Sequence, residues 1–489
     1  MTNTVARRRF LQGISAAAVI GFDPVRRSWV TEASASTAGL VSLPHLDGTL
    51  VTDSASLAKA GADFGNIVHR TPRAVLRPGS VNDIVVMVRY ALQYRLQIAM
   101  RGQGHSTHGQ AQVGAGIVID SSTLNQVHTV GSDYADVGPG ARWREVIAAT
   151  LPRGLTPPTL PNYLDLTIGG QTTVGGIGGA GHRHGAVVDN VLELDVVTGT
   201  GQLRRCSARE NAALFNAVRG GLGQFGIIVR ARIKLVPAKP LVRLYSLTYN
   251  DRASIIEDAT TVALDERFDH VEGQFDPDAT GRYTSATLLA AAFFNPGAPP
   301  RDADLLSGLT PTATAIQDMP YEAFLKRIDP IIDMMKAVGA FALPHPWFDA
   351  FLPESTMVDF LDEVIPTIDI SYTGQGPVIF YPLRRSKVRT PFLAVPQADE
   401  VFFLFDILAN APPDPVVVAQ MLARNAAWHA RARALGGKQY NIGSYELDRE
   451  GWKTYFSPHW PAVVLAKLAY DPTNILTPGQ GIFPAGCVI

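Results

Sequence analysis

The chain has 489 residues, 46% of them apolar and 18% charged, with a formal net charge of −1. That length exceeds one small core and points to two domains, and the near-neutral balance carries no basic footprint for nucleic acid. Cys206 and Cys487 are the only cysteines, which excludes a disulfide framework and any cysteine-built zinc or iron–sulfur centre; no His/Asp/Glu cluster has metal-ligand spacing either. Beyond the N-terminus no stretch reaches the roughly 18 uninterrupted apolar residues of a spanning helix.

In chain order, Ala6-Arg7-Arg8-Arg9-Phe10-Leu11-Gln12, an apolar run over residues 14–22 and Ala33-Ser34-Ala35 read as a twin-arginine export signal with its cleavage point. Residues 1–35 are therefore set apart from the fold, and the mature protein is expected outside the cytoplasm. Residues 74–78 read as a strand stopped by proline. Residues 83–96 carry Ile84, Val88, Ala91 and Leu92 at helical spacing. An apolar segment then runs into Arg101-Gly102-Gln103-Gly104-His105-Ser106, followed by the strand-like Ile117-Val118-Ile119-Asp120. Glycines on either side of His105 let the backbone approach a ligand, and a His in such a loop is a candidate for chemistry; the alternative is a polar surface loop.

Residues 135–143 form a strand ending in a glycine turn. Eight glycines then fall within residues 169–185, a composition that offers backbone N–H groups to an anion such as a pyrophosphate. Gly176-x-Gly178-x-x-Gly181 has dinucleotide-fingerprint spacing, with Asp195 beyond it, but no clear helical pattern follows, so a Rossmann unit is not expected. Residues 192–198 and 201–206 read as a hairpin. The glycine-rich passage 214–228 leads into a strand over residues 229–235. Residues 241–430 change character, with more aromatics and prolines and fewer glycines, as in a second domain built from a sheet carrying helices.

The run Arg101-Gly102-x-Gly104-His105-Ser106-x-x-Gly109-Gln110-Ala111 resembles the flavin-attachment loop of FAD-linked oxidases of the vanillyl-alcohol oxidase type, which have a PCMH-type FAD-binding domain. Thr167-Ile168-Gly169-Gly170, Val174-Gly175-Gly176 and His184-Gly185 resemble their pyrophosphate-binding segment, and residues 214–228 another of their signatures. Within that group, Phe268-Asp269-x-Val271-Glu272-Gly273, Pro344-His345-Pro346-Trp347, Gly376-Pro377-Val378-Ile379-Phe380-Tyr381-Pro382 and Lys438-Gln439-Tyr440-Asn441 are similar to cytokinin dehydrogenases. The resemblance extends to Ile482-Phe483 and so covers nearly the whole chain behind the signal.

It implies an α+β fold of two domains: an FAD-binding domain over residues 40–240 with a C-terminal return at 435–489, and a substrate domain over 241–434. It implies FAD bonded covalently through His105. Arg101, Gly102, Gln103, Gly104, Ser106, Gln110, Thr167, Gly170, Gly175, Gly176, Gly179, Ile228 and Gln480 would surround the cofactor. Residues 169–185 contain no Cys, which leaves a single attachment. The expected reaction takes hydride from a C–H next to nitrogen or oxygen of a small-molecule substrate to flavin N5, with the electrons passing on to oxygen or a quinone-like acceptor.

Two departures qualify that activity. The family's base is an Asp in Trp-x-Asp-Tyr-Leu-x-Leu-Thr; the matching run here is Leu160-Pro161-Asn162-Tyr163-Leu164-Asp165-Leu166-Thr167, and the amide of Asn162 cannot take a proton. Asp165 would substitute for it on a helical turn and be a bystander on an extended segment. The strand expected to carry the family's second acid, residues 288–294, contains none, so a less polar substrate is expected. Tyr440 would be the base of an alcohol or sugar oxidase on the same scaffold. Loss of both acids would alternatively leave a non-catalytic flavin-binding protein. His345, between two prolines, reads as a corner residue, and His108, His182 and His184 as scaffolding.

Overall fold

The structure is a computed structural model that describes residues 19–23, 28–31 and 43–483. Val19–Asp23 and Ser28–Thr31 pair as a two-stranded antiparallel sheet; the paired arginines and the cleavage point of the candidate signal lie outside the described residues.

Two sheets precede residue 240. The first orders Thr49–Val51, Ala74–Arg77, Ile117–Asp120 and Ile98–Arg101, with its three inner pairings antiparallel, parallel and parallel. The helix Val81–Tyr94 makes the crossover. It begins where the Ser80 hydroxyl and the Asp83 carboxylate cap each other's backbone, and it buries Ile84, Met87, Val88 and Ala91 at the spacing read from the sequence. Asp83 also accepts from the N–H groups of Asp47, Gly48 and Gly79, so one carboxylate ties the chain's entry to the helix start.

The second sheet is wholly antiparallel, in the order Leu203–Ser207, Val191–Val197, Ile227–Lys234, Tyr134–Val137 and Val127–Val130. A ladder of charges crosses one face. Arg230 pairs with Glu193, Arg232 with Asp136 and Arg205 with Asp195. Asp195 is thus a surface ion-pair partner, consistent with setting aside the dinucleotide-fingerprint reading.

The third sheet has eight antiparallel strands, in the order Ala313–Pro320, Leu241–Tyr249, Tyr283–Phe294, His270–Pro277, Val378–Arg384, Val401–Ile407, Phe348–Pro353 and Lys438–Gln439. One face is covered by the helices Arg252–Asp265, Glu354–Val364 and Pro415–Ala434, whose Ile255, Val262, Phe360, Leu361 and Trp428 share a core with Leu247, Phe275, Phe348 and Phe405 of the strands. The other face roofs a cavity. Successive side chains alternate across a strand, so Leu289, Glu272, Gln274, Ile379, Tyr381, Leu404 and Asp406 all fall on that roof.

After the last strand the chain returns beneath the cavity. Leu476 bridges Ile98, with Ile98 N–H donating to Ile475 O at 2.7 Å and Thr477 N–H to Ile98 O at 2.8 Å. A fully buried ion pair fixes this return. Lys467 Nζ lies 2.7 Å from Asp471 Oδ2, and the Asp471 carboxylate also accepts from the N–H groups of Ile475 and Leu476. Lys467 donates as well to Gln224 O, while Gln224 Nε2 donates to Thr477 O at 3.0 Å. Removing one partner of such a pair strands a buried charge. Lys467→Met is expected to lower unfolding stability by about 3–5 kcal/mol in denaturant titration, and Lys467→Met with Asp471→Asn to recover part of that loss.

Candidate active site

The His105 loop follows the strand Ile98–Arg101 and is held from behind by residues 62–65. Asp63 Oδ2 accepts from Ser106 Oγ at 2.9 Å and from Gly109 N–H at 2.7 Å. Phe64 N–H donates to Gly104 O and Gly65 N–H to Ser106 O. The Arg101 guanidinium lies directly under Gly104, where a Cβ would sit 2.2 Å from Arg101 Nη2, and it donates to Ala62 O. Gly104 has φ +69°, a conformation that favours glycine. Among the described residues, the N–H groups of Gly102, Gln103, Gly104, His105 and Ser106 donate to no protein acceptor. Five free donors in one turn above a buried guanidinium make an anion cradle.

His105 is half-buried in the cavity wall among aromatic rings: Phe64 at 4.1 Å, Tyr163 at 5.0 Å and Trp347 at 5.6 Å between centroids. Burial, with His345 adding to it, holds its pKa down to about 3, so the imidazole is neutral and keeps a lone pair for bonding. His345 is buried, stacks on Phe64 at 3.8 Å and hydrogen-bonds Phe64 O through Nδ1 at 2.8 Å, the corner role read from its two prolines.

Opposite the loop sits a carboxylate that the sequence reading did not single out. Glu272 Oε2 accepts from Asn162 Nδ2 at 2.6 Å, and Glu272 Oε1 from Arg327 Nη2 at 2.8 Å. The same Arg327 nitrogen donates to Asn162 Oδ1 at 2.7 Å, and Asn162 Nδ2 donates also to the Tyr381 hydroxyl at 2.8 Å. His270 Nε2 lies 3.3 Å from Glu272. Burial alone would push the Glu272 carboxyl up, but the charge of Arg327, then His270 and the Asn162 amide, hold it well below the usual range. His270 is itself pulled down by burial. The site acid is therefore an ionised glutamate on the strand next to the one expected to carry it, directly across from Leu289. Its place in the motif Phe268-Asp269-x-Val271-Glu272-Gly273, with a charge beside core residues Val271 and Phe275, was the signal that could have found it.

The two positions considered for a base separate. Asn162 lies in the cavity, but Asp165 does not. Its Oδ1 pairs with Arg144 Nε at 2.9 Å and Arg142 Nη1 at 3.3 Å, while Arg144 continues to Asp329. The segment turns so that Asp165 faces this ion network, which corrects the idea that it replaces the base. Tyr440 lines the cavity as a buried phenol whose oxygen accepts from Gly176 N–H at 3.0 Å. Burial raises its pKa far above the ordinary value, despite that hydrogen bond, so it stays a protonated phenol and is not a base.

The cavity measures about 1080 Å³, beyond the roughly 300–1,000 Å³ of ordinary small-molecule pockets. Gly102, Gln103, Gly104, Ser106 and Gln110 line it, as do Thr167, Gly170, Ile228 and Gln480. Gly102 meets Thr167 so closely that a Cβ would lie 2.2 Å from Thr167 Oγ1, leaving the backbone open to a ligand. Size, free N–H donors and a neutral His fit a flavin dinucleotide. Arg101 stands behind the wall. Gly175, Gly176 and Gly179 lie outside it, a correction to the reading of the whole glycine run as a phosphate cradle. They serve packing: a Cβ on Gly179 would strike the His270 ring at 2.4 Å, and one on Gly176 would meet Gln171 and Val187.

Comparison with known proteins agrees with this geometry. A family model described as cytokinin dehydrogenase 1, FAD and cytokinin binding, matches residues 303–483, and an FAD binding domain model matches residues 72–207. An uncharacterized oxidoreductase, ORF5 of the fasciation locus of Rhodococcoides fascians, is 38% identical over 437 residues, covering 89% of this chain and 99% of that protein. Cytokinin dehydrogenase 10 of Oryza sativa subsp. japonica is 34% identical over 514 residues, covering 94% and 92%. Cytokinin dehydrogenase 2 of Arabidopsis thaliana is 32% identical over 487 residues, covering 91% and 95%. The crystal structure of 6-hydroxy-D-nicotine oxidase from Arthrobacter nicotinovorans superposes with a TM-score of 0.68 over 89% of this chain and 98% of that one, at 23% identity, and so shares the fold. With an FAD-binding domain, a cavity of the right size and relatives matched end to end, the chain belongs to the cytokinin dehydrogenase family of FAD-dependent oxidoreductases on the PCMH-type fold.

Proposed function

We propose that the protein carries FAD bonded covalently through His105 and oxidises a secondary amine of the cytokinin type, an N6-alkylated adenine, by taking hydride from the C–H next to nitrogen. The observation that carries this reading is the ionised Glu272, held in the cavity wall by Arg327 and Asn162 within hydrogen-bond distance of both. A carboxylate kept charged at a buried site accepts the N–H of an amine substrate and orients it, and the adjacent C–H is then directed at the cofactor. When bound, the flavin accepts the hydride. Arg327 and Asn162 fix the Glu272 carboxylate in one rotamer, while the rings of Phe64, Tyr163 and Trp347 hold the His105 imidazole toward the same cavity. An alcohol or sugar oxidase would need Tyr440 as a base, against its burial and its bond from Gly176. A non-catalytic binding protein loses its main support once an acid is present at the site.

The electron acceptor is proposed as oxygen or a quinone, distinguished by whether the reduced protein regains its yellow colour on admission of air or only on addition of a benzoquinone. Export through the twin-arginine route is proposed from Arg7-Arg8-Arg9 and the apolar run behind them.

Three outcomes test the reading. Acid precipitation should leave the yellow colour in the protein pellet, and His105→Ala should release it to the supernatant. Anaerobic mixing with N6-isopentenyladenine should bleach the flavin absorbance, and Glu272→Gln should slow that bleaching by about 10²-fold or more while the protein stays yellow; no bleaching by the wild-type protein rejects the amine. Because Glu272 is held well below the usual carboxylate range by Arg327 and burial holds His105 down to about 3, neither gains a proton on acidification until below about pH 4. Glu272→Gln should therefore lower kcat/KM at every pH above that, without moving the profile's inflections.

A further inference from the structure

A second pair of acids stands in the same roof, outside the cluster that the proposed reaction uses. Asp349 and Asp406 face each other directly in the register of Phe348–Pro353 and Val401–Ile407, and both are buried. Asp406 also lines the cavity. Among the described residues, no cation pairs with either acid, and neither oxygen of Asp349 nor Oδ1 of Asp406 has a donor from any other group. Two buried carboxyls set directly opposite each other with no cation beside them cannot both stay charged, so the pair retains a proton.

We propose that the Asp349–Asp406 pair holds one proton at rest and takes up a second when the cavity's cofactor is reduced, serving as the proton-accepting site of the reductive half-reaction. Glu272 is poorly suited to that task, since its two oxygens are already engaged by Arg327 and Asn162. Tyr381 stands between the two acid sites. Its oxygen accepts from Asn162, and it lies in the field of both Glu272 and Asp406. The other groups facing the pair are Tyr440 and Tyr445 from the segment after Lys438–Gln439, Tyr455 from the helix Arg449–Phe456 and, beyond Tyr381, Glu272 and Arg327. Burial raises both carboxyls above the usual carboxylate range, and the neighbouring Asp406 raises Asp349 further, so the pair holds protons that exposed acids would lose. Gly443 backs onto Asp349 so tightly that a Cβ would lie 2.8 Å from its Oδ2, and its carbonyl accepts from Gln110 of the cofactor loop. The pair is thus tied to the loop that carries His105.

For an amine substrate the step balances as follows. The C–H bond breaks and its hydrogen leaves with both electrons to the flavin; the amine becomes an imine and gives up its N–H proton, which passes to the pair. With dithionite the electrons arrive without substrate protons, so the proton gained by the reduced flavin and the one gained by the pair are both drawn from solvent, and the pair's share is read as the difference between the wild-type protein and Asp406→Asn.

The test is the reduced-minus-oxidised infrared difference spectrum of the FAD-loaded protein, with dithionite as reductant at neutral pH. The expected result is a gained carbonyl band of a protonated carboxyl, absent in Asp406→Asn and shifted in Asp349→Asn, with both variants still binding flavin. Proton uptake on reduction, read with an indicator dye in weakly buffered solution, should fall in Asp406→Asn by one proton per flavin. No gained band in the wild-type protein, or a band and uptake that both substitutions leave unchanged, would overturn the proposal. Failure of N6-isopentenyladenine to bleach the flavin would count against the proposed substrate and leave this result standing.

Discussion

The Asp63 carboxylate is the point from which the active site is built. It lies behind the His105 loop and takes a hydroxyl from Ser106 and an N–H from Gly109, while its neighbours Phe64 and Gly65 donate to the carbonyls of Gly104 and Ser106. The loop's carbonyls are thereby engaged from behind, while its N–H groups from Gly102 to Ser106 donate to no protein acceptor among the described residues. Burial pushes the Asp63 carboxyl up, and the hydrogen bonds and Arg101 oppose it. A buried acid tolerated at that cost makes sense only where it holds geometry that an apolar residue could not. Gly65 allows the contact, since a Cβ there would lie 1.9 Å from Thr107 O.

Across the cavity the same logic runs with opposite charge. Arg327 stands just before the helix Asp329–Ala337, whose N-terminal Asp329 is gripped by Arg144, which also grips Asp165. No residue of that helix is buried, yet Ile331, Ile332 and Met335 line the cavity. The guanidinium that keeps Glu272 charged therefore sits at the root of the least supported wall of the site. Asp165 belongs to this outer bracket, so its contribution to the site passes through Arg144 and Asp329 and not through substrate contact.

The parts of the fold that repeat a local pattern were legible in the sequence. The helix Val81–Tyr94 announced itself by its apolar spacing, and the hairpin of Val191–Val197 with Leu203–Ser207 by its glycine turn. The His105 loop stood out because glycines flank a reactive side chain in one short run, so local sequence carried the whole message. The glycine run at 169–185 misled for the same reason. Of its glycines only Gly169 and Gly170 reach the cavity, and later ones admit His270, Leu383 and the backbone of Leu160 and Lys387, neighbours from outside the run. Asn162, Glu272, Arg327 and Tyr381 come from four separate elements and meet only when the eight-stranded sheet closes over the loop. Nothing within ten residues of any of them reveals the partnership.

The amide at position 162 then has a different meaning from a lost base. Two carboxylates at the 2.6 Å that separates Asn162 Nδ2 from Glu272 Oε2 could not both stay charged. With an amide in that place, Glu272 gains a fixed donor and Arg327 can serve both side chains through one nitrogen. The cluster is thereby locked in a single charge state, which favours orientation of a substrate over storage of its proton. Proton storage needs the reverse arrangement, two opposed acids with no cation to settle their charge, and that arrangement occurs two and three strands away at Asp406 and Asp349. The proposed roles, orientation and proton uptake, thus fall to two acid sites on one sheet face, with Tyr381 between them.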